Sequence, residues 1–125
     1  MTARAGFTLI EVLIAVAILS LGMMGVLAVF AAATESHRRA VDGAEAAMIA
    51  TSLAAEARAR FREPGCLVPV TDAAVPQRPR YRYDIEYIPL DADGDEVLMQ
   101  IRVRWAERGR SAGLAFQTVL FRKQD

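Results

Sequence analysis

Cysteine and histidine are almost absent from this sequence of 125 residues, which contains one of each, Cys66 and His37. A single cysteine cannot form an internal disulfide, so packing must hold the fold together, and Cys66 is expected to be a small structural filler. No Ser/His/Asp set, glycine-rich phosphate loop, paired carboxylates on a scaffold or cluster of metal ligands is visible. We therefore expect no metal, no cofactor and no enzymatic activity.

An excess of one charge is also missing, because 15 basic side chains balance 15 acidic ones. The total charge gives no indication of a nucleic-acid partner, and none is expected. Arg78, Arg80 and Arg82 are interpreted as the wet edge of a strand. A chain of this length has room for one small domain and an accessory segment, which excludes an elaborate multidomain enzyme.

Charge is missing altogether from Val12 through Ala33, VLIAVAILSLGMMGVLAVFAAA. About 20 apolar residues suffice for an α-helix to cross the hydrocarbon core of a membrane, so this run predicts a single span. A secretory signal peptide would explain Arg4 and the small residues before Thr34, but its apolar region is usually only about 7–15 residues long. A plain signal anchor fits the length. Neither explains Glu11, an acidic residue within the apolar stretch.

The opening residues, MTARAG followed by FTLIEVLIA, resemble the type III signal of type IV prepilins and type II secretion pseudopilins. The resemblance implies that a membrane-embedded prepilin peptidase cleaves after Gly6 and N-methylates the new terminal residue, Phe7. It also implies an assembly role for Glu11, whose carboxylate neutralises the terminal amine of a neighbouring subunit. Glu11 could instead reach its own Phe7 amine, four residues earlier on one helical face.

The same resemblance implies the partners and the location. The partners are the prepilin peptidase, other minor and major pilins or pseudopilins, and the membrane. The protein is expected in the bacterial inner membrane, crossing it once, with its head in the periplasm and in a filament after assembly.

Beyond the span, residues 34–62 are rich in alanine and other good helix formers, so the helix is expected to continue. Glu63, Pro64 and Gly65 are expected to end it. An apolar stripe along residues 34–62 predicts which face of the helix packs on the head. It consists of Ile49, Leu53, Ala57 and Phe61, with Val41 and Met48 close to the same side.

Strand periodicity follows a predicted loop over residues 63–80. Apolar and polar residues alternate over 81–87 and again over 97–105, as in strands with one buried face. The run from Pro89 to Glu96 predicts a hairpin turn, and its carboxylates fit a solvated turn better than a calcium loop, because the glycine is misplaced for an EF-hand. A third strand is predicted from Leu114 to Phe121, apolar enough to lie against neighbours on both sides.

Charge pairing predicts the register of this hairpin. Placing Glu86 opposite Arg102 and Asp84 opposite Arg104 gives two attractive pairs and centres the turn on Gly94. Shifting the register by two residues would instead oppose two arginines.

The sequence therefore predicts an α+β protein with a pilin-like architecture. Its parts are a leader (1–6), a transmembrane or filament-core helix (7–33) and a head (34–125), the last comprising a helix (34–62), a loop (63–80) and an antiparallel β-meander (81–122). The hairpin, the run Val103-Arg104-Trp105 and the strand around Phe116 resemble pseudopilin I of type II secretion and the V-type minor pilin. This implies a minor subunit at the initiation or tip of a pseudopilus or pilus.

Two other functions fit the same residues. One is a single-pass membrane-anchored periplasmic binding module that is not part of a filament. The other is a secreted protein whose amino terminus is merely removed.

Overall fold

The computed structural model describes residues 6–62 and 65–122. These form one helix and four strands: α1 (Leu9–Arg60), β1 (Val70–Val75), β2 (Arg78–Pro89), β3 (Glu96–Glu107) and β4 (Arg110–Phe121). The α+β prediction is confirmed, because a long helix with an apolar amino-terminal part precedes an antiparallel sheet. By its internal contacts the chain divides within α1 into two compact units, Met1–Ala40 and Val41–Asp125.

The first unit contains the apolar part of α1. Every residue from Gly6 to Thr34 is exposed, as expected of a helix that is apolar on all its faces and has no protein around it. The hydroxyls of Ser20 and Thr34 donate to the carbonyl oxygens of Val16 and Phe30, at 2.8 and 2.9 Å. These polar groups are thus satisfied inside the helix, which suits a segment surrounded by lipid.

The second unit has its core between the carboxyl-terminal part of α1 and one face of the sheet. The helix contributes alanines and one larger side chain, and Phe61 follows directly after the helix: Ala46, Ile49, Ala50, Ala54, Ala57 and Phe61. Small side chains let a helix lie close to a sheet, so this face excludes water without bulky residues. The predicted burial of Ile49, Ala57 and Phe61 is confirmed, and Leu53 packs partly buried against the same core. The prediction is wrong for Val41 and Met48, which turn outwards and are 44% and 56% exposed.

The sheet is antiparallel with the order β1-β2-β3-β4. Alternation along β3 places every second residue from position 97 to 105 in the core: Val97, Met99, Ile101, Val103 and Trp105. Tyr81 and Ile85 of β2 and Leu120 of β4 complete this inner face. The aromatic rings of Tyr81 and Trp105 lie 5.9 Å apart in a tilted arrangement.

Two predictions about the strands are corrected. The segment predicted as a loop over 63–80 contains β1, so the sheet has four strands rather than three. Its periodicity is hidden because β1 is short, lies between Pro69 and Pro76, and is interrupted by two register shifts. The last strand has a neighbour on one side only, since β4 forms the edge of the sheet.

The predicted hairpin register is wrong by two residues. In the structure Asp84 lies opposite Arg102, Glu86 lies opposite Gln100, and Arg82 lies opposite Arg104. The turn is therefore centred on Asp93 rather than on Gly94. The register that opposes two arginines is the one adopted.

Asp72 of β1 explains why the two arginines tolerate each other. Its carboxylate accepts hydrogen bonds from Arg82 at 2.7 and 2.8 Å and from Arg104 at 3.0 Å. Arg104 also donates to Asp84, at 3.1 Å. Asp72 has a left-handed backbone with φ of 52° and lies within a register shift, which aims its side chain between the guanidinium groups. The predicted register considered only the charges of β2 and β3, and it omitted the negative charge that Asp72 of β1 supplies.

The turn between β2 and β3 is held by its own acidic residues. The backbone N–H of Leu90 donates to the carbonyl of Glu96, and the backbone N–H of Glu96 donates to the carboxylate of Asp91 at 3.2 Å. Asp95 pairs with Arg122 at 3.4 Å. These contacts give two of the carboxylates a structural role in closing the turn.

The end of α1 comes at Arg60, slightly earlier than predicted. The predicted stop at Glu63 and Pro64 lies outside the described residues. Gly65 has φ of 79°, a left-handed conformation that suits the turn after a helix. The Cys66 thiol donates a hydrogen bond to the carbonyl of Arg60, so this cysteine fastens the loop to the helix end.

Candidate processing and assembly site

The amino terminus of α1 is closed by a reciprocal pair of hydrogen bonds. Gly6, Phe7 and Thr8 precede the helix, which begins at Leu9. The backbone N–H of Glu11 donates to the Thr8 hydroxyl at 3.4 Å, and the backbone N–H of Thr8 donates to the Glu11 carboxylate at 3.5 Å. This is a capping box, in which two side chains satisfy backbone donors that the first turn leaves unpaired.

The helix begins at Leu9, so Phe7 is not part of it, although the predicted span from residue 7 had included it. Phe7 and Glu11 nevertheless lie on one side of the chain. They line one shallow groove of about 350 Å³ whose other walls are apolar: Val12, Ala15, Val16 and Leu19. Phe7 is 84% exposed, and Glu11 is exposed as well. The groove therefore presents one carboxylate on an otherwise apolar helical surface, where an amine from another chain would find its counter-charge.

Within residues 6–62 and 65–122, Gly6 is not required by close packing. A Cβ atom built at this position would meet no other heavy atom within 4 Å, and its φ is not left-handed.

The helix that follows is suited by length and composition to cross a membrane. It is the single such helix found within residues 6–62 and 65–122, and its most apolar window has no buried residue. His37, Arg38 and Arg39 are exposed beyond this window, and Arg39 pairs with Glu35 at 3.2 Å.

A buried polar group in the head was not anticipated from the sequence. Asp42 of α1 is only 7% exposed, and its carboxylate accepts hydrogen bonds from the Tyr81 hydroxyl and from Arg80, both at 3.1 Å. Burial, followed by hydrogen bonding to Glu45 and Asp42, raises the pKa of Tyr81 above its ordinary value. The sequence does contain a signal for the burial of Asp42, because this residue lies one turn before Ala46 on the helical face that carries the buried alanines.

The outer face of the sheet carries the ionic cluster around Asp72. Hydrogen bonding to Arg82 is the main cause that holds the pKa of Asp72 below its ordinary value, with further contributions from the charges of Arg82 and Arg104. Within the described ranges 6–62 and 65–122, no three His, Cys, Asp or Glu side chains are arranged to hold a metal ion. The cluster's geometry is that of a structural ion network.

Comparison with protein families matches residues 1–27 to the prokaryotic N-terminal methylation motif. This match supports the class of type IV pilins and pseudopilins, and with it processing by prepilin peptidase and a structural rather than catalytic family. The candidate span and the motif together are consistent with a membrane-anchored protein. A search of curated proteins and a search of solved structures gave no match.

Proposed function

We propose that this protein is a minor subunit of a type II secretion pseudopilus or a type IV pilus, acting where the filament starts or at its tip. The α1 helix anchors it in the bacterial inner membrane, crossing once, and the head lies in the periplasm until the subunit enters the filament. The observation that carries this proposal is the processing motif joined to a long helix whose apolar part is fully exposed.

Cleavage after Gly6 makes the proposed assembly chemistry available. It creates a positive α-amino group on Phe7, and N-methylation by the same peptidase leaves that group cationic. An ionised carboxylate within a membrane costs about 2–3 kcal/mol or more on insertion scales, so Glu11 needs a partner. The terminal amine of a neighbouring subunit provides one, and the cost of burying Glu11 becomes a contact that favours assembly.

The capping box fits this role. In the described chain the Glu11 carboxylate is held by the Thr8 N–H at 3.5 Å, a long and exposed hydrogen bond. Such a bond costs little to exchange for an ion pair in a medium of low dielectric constant. Thr8 thus keeps the carboxylate in place on the Phe7 side until a neighbour arrives.

A minor rather than a major role is supported by the head. Its single cysteine, Cys66, donates a hydrogen bond to a backbone carbonyl. Major pilins commonly have a pair of cysteines near the carboxyl terminus, which this sequence lacks. The β3 run Val103-Arg104-Trp105 and the strand that follows it resemble pseudopilin I and the V-type minor pilin. The proposed partners are accordingly the prepilin peptidase and the other minor and major subunits, and the protein is proposed to have no catalytic activity.

Replacing Glu11 by Leu tests the assembly role. The variant loses a charge that is costly in the membrane but leaves a neighbour's amine unmatched, so it should remain in the membrane fraction and fail to enter sheared filaments. Ser20→Leu is the matched control, because it removes a polar group from the same exposed helix without changing charge. Entry of Glu11→Leu into filaments at the wild-type level would contradict the proposed role of Glu11.

A further inference from the structure

The two edges of the sheet differ in how well they could accept another strand. The β1 edge has only 6 residues and two register shifts. Asp72 within it has a left-handed backbone, and Pro69 and Pro76 flank it. Short length, irregular pairing and proline are the means by which proteins prevent an edge strand from pairing with other chains. This edge is therefore blocked.

The β4 edge lacks these features. It has 12 residues, each paired in continuous register with β3. It contains no proline, and no side chain from Ser111 to Phe121 is charged. Leu114 and Phe121 are 42% and 66% exposed. In the part of the chain that the structure describes, no backbone hydrogen bond joins β4 to a strand other than β3, so its outward N–H and C=O groups are open to a partner.

Two arginines give this edge a positive environment. Arg58 of α1 extends to β4 and donates to the Thr118 hydroxyl at 2.9 Å, and Arg110 begins the strand. Within residues 6–62 and 65–122 no ion pair joins either arginine to an acidic side chain, although the register places Glu107 of β3 opposite Arg110. Because β4 itself carries no acidic residue, a second β4 strand would bring more positive charge and no counter-charge. A partner strand with carboxylates would match both arginines.

We propose that the free edge of β4 binds an extended, acidic segment of another protein, which adds a fifth strand to the sheet. Backbone hydrogen bonds along β4 supply the affinity, as in other cases of strand addition, and Arg58 and Arg110 select carboxylate side chains. This interaction does not depend on the proposed role in a filament, since all its determinants lie in the head.

A synthetic peptide of about ten residues, alternating valine and threonine with glutamates at both ends and in the middle, serves as the probe. Binding to the full-length protein in detergent micelles is measured by fluorescence anisotropy, and amide hydrogen exchange locates the contact. We expect exchange to slow at alternate amides of β4 and to remain unchanged in β1. A peptide with lysine in place of glutamate should bind more weakly, and one N-methylated at alternate residues should not bind.

Charge reversals test the selecting residues. Arg58→Glu and Arg110→Glu should each weaken binding of the glutamate peptide about fivefold, the upper range for an exposed ion pair, whereas Arg38→Glu on α1 should leave it unchanged. The two reversals are independent, so loss of folding in one would not remove the test. Equal binding of the lysine or N-methylated peptide would overturn the proposal. So would slowed exchange at β4 that appears without peptide as protein concentration rises, because the occupant would then be a second copy.

Discussion

Removing the Tyr81 hydroxyl should destabilise the head more than the loss of a single oxygen atom suggests. Tyr81 is 3% exposed and donates to Asp42, which is 7% exposed. In Tyr81→Phe this buried carboxylate keeps only the Arg80 contact. Hydrogen bonds to charged groups contribute about 1.5–3 kcal/mol, so we expect a loss of about 2 kcal/mol in the free energy of unfolding. The melting temperature should fall by roughly 10 °C.

Urea unfolding of the protein in micelles, followed by the fluorescence of its one tryptophan, provides the assay, since the Trp105 ring lies 5.9 Å from that of Tyr81. Tyr83→Phe is the matched control, because Tyr83 is only half-buried and its hydroxyl makes no hydrogen bond within residues 6–62 and 65–122. A Tyr81→Phe variant within about 0.5 kcal/mol of the wild type, or a control that loses as much, would refute the reasoning.

The pH dependence at high pH gives a second readout of the same contact. The folded-state pKa of Tyr81 is raised above the unfolded value of 10.0. The resulting stability is fully present below pH 10 and is lost as the pH rises towards the folded-state pKa. The wild type should therefore lose stability above pH 10, and Tyr81→Phe should lose less. Parallel curves for the two proteins would show that the phenol does not titrate with unfolding.

Three further outcomes follow from single residues. Gly6→Val should leave the leader attached in cells that contain the peptidase, while Gly22→Val should be cleaved normally; mass spectrometry of the purified proteins distinguishes them. The folded-state pKa of Asp72 is lowered below the unfolded value of 3.8. Its contribution to stability should therefore be present above pH 3.8 and vanish as the pH falls through the folded-state pKa. Asp72→Asn should lose this pH dependence in acid unfolding. Gly113→Ala should lower the urea midpoint, because its Cβ would lie 2.9 Å from the carbonyl oxygen of Val103; an unchanged midpoint would contradict that packing.

The sequence predicted best the elements in which apolar residues follow a regular pattern. Alternation over β2 and β3 identified both strands and their buried faces, because side chains on a strand point to opposite sides in turn. The uncharged run from Val12 to Ala33 identified the apolar part of α1 for a similar reason, since a span needs little more than length and composition.

The features that the sequence did not predict depend on contacts between distant segments. The register of β2 and β3 was predicted from their own charges, but Asp72 on β1 neutralises Arg82 and Arg104 and makes the opposed arginines acceptable. Strand β1 itself was missed because its bulges break the period by which a strand is recognised. The burial of Asp42 depends on Tyr81, which lies 39 residues away in sequence.

The amino terminus of the mature protein tests the central claim most directly. Intact-mass and terminal-peptide mass spectrometry of protein purified from cells with an active prepilin peptidase should find a chain that begins at N-methylated Phe7. A chain that retains Met1 would contradict the account and favour a simple membrane anchor, and one that begins near Thr34 would instead indicate an ordinary secreted protein.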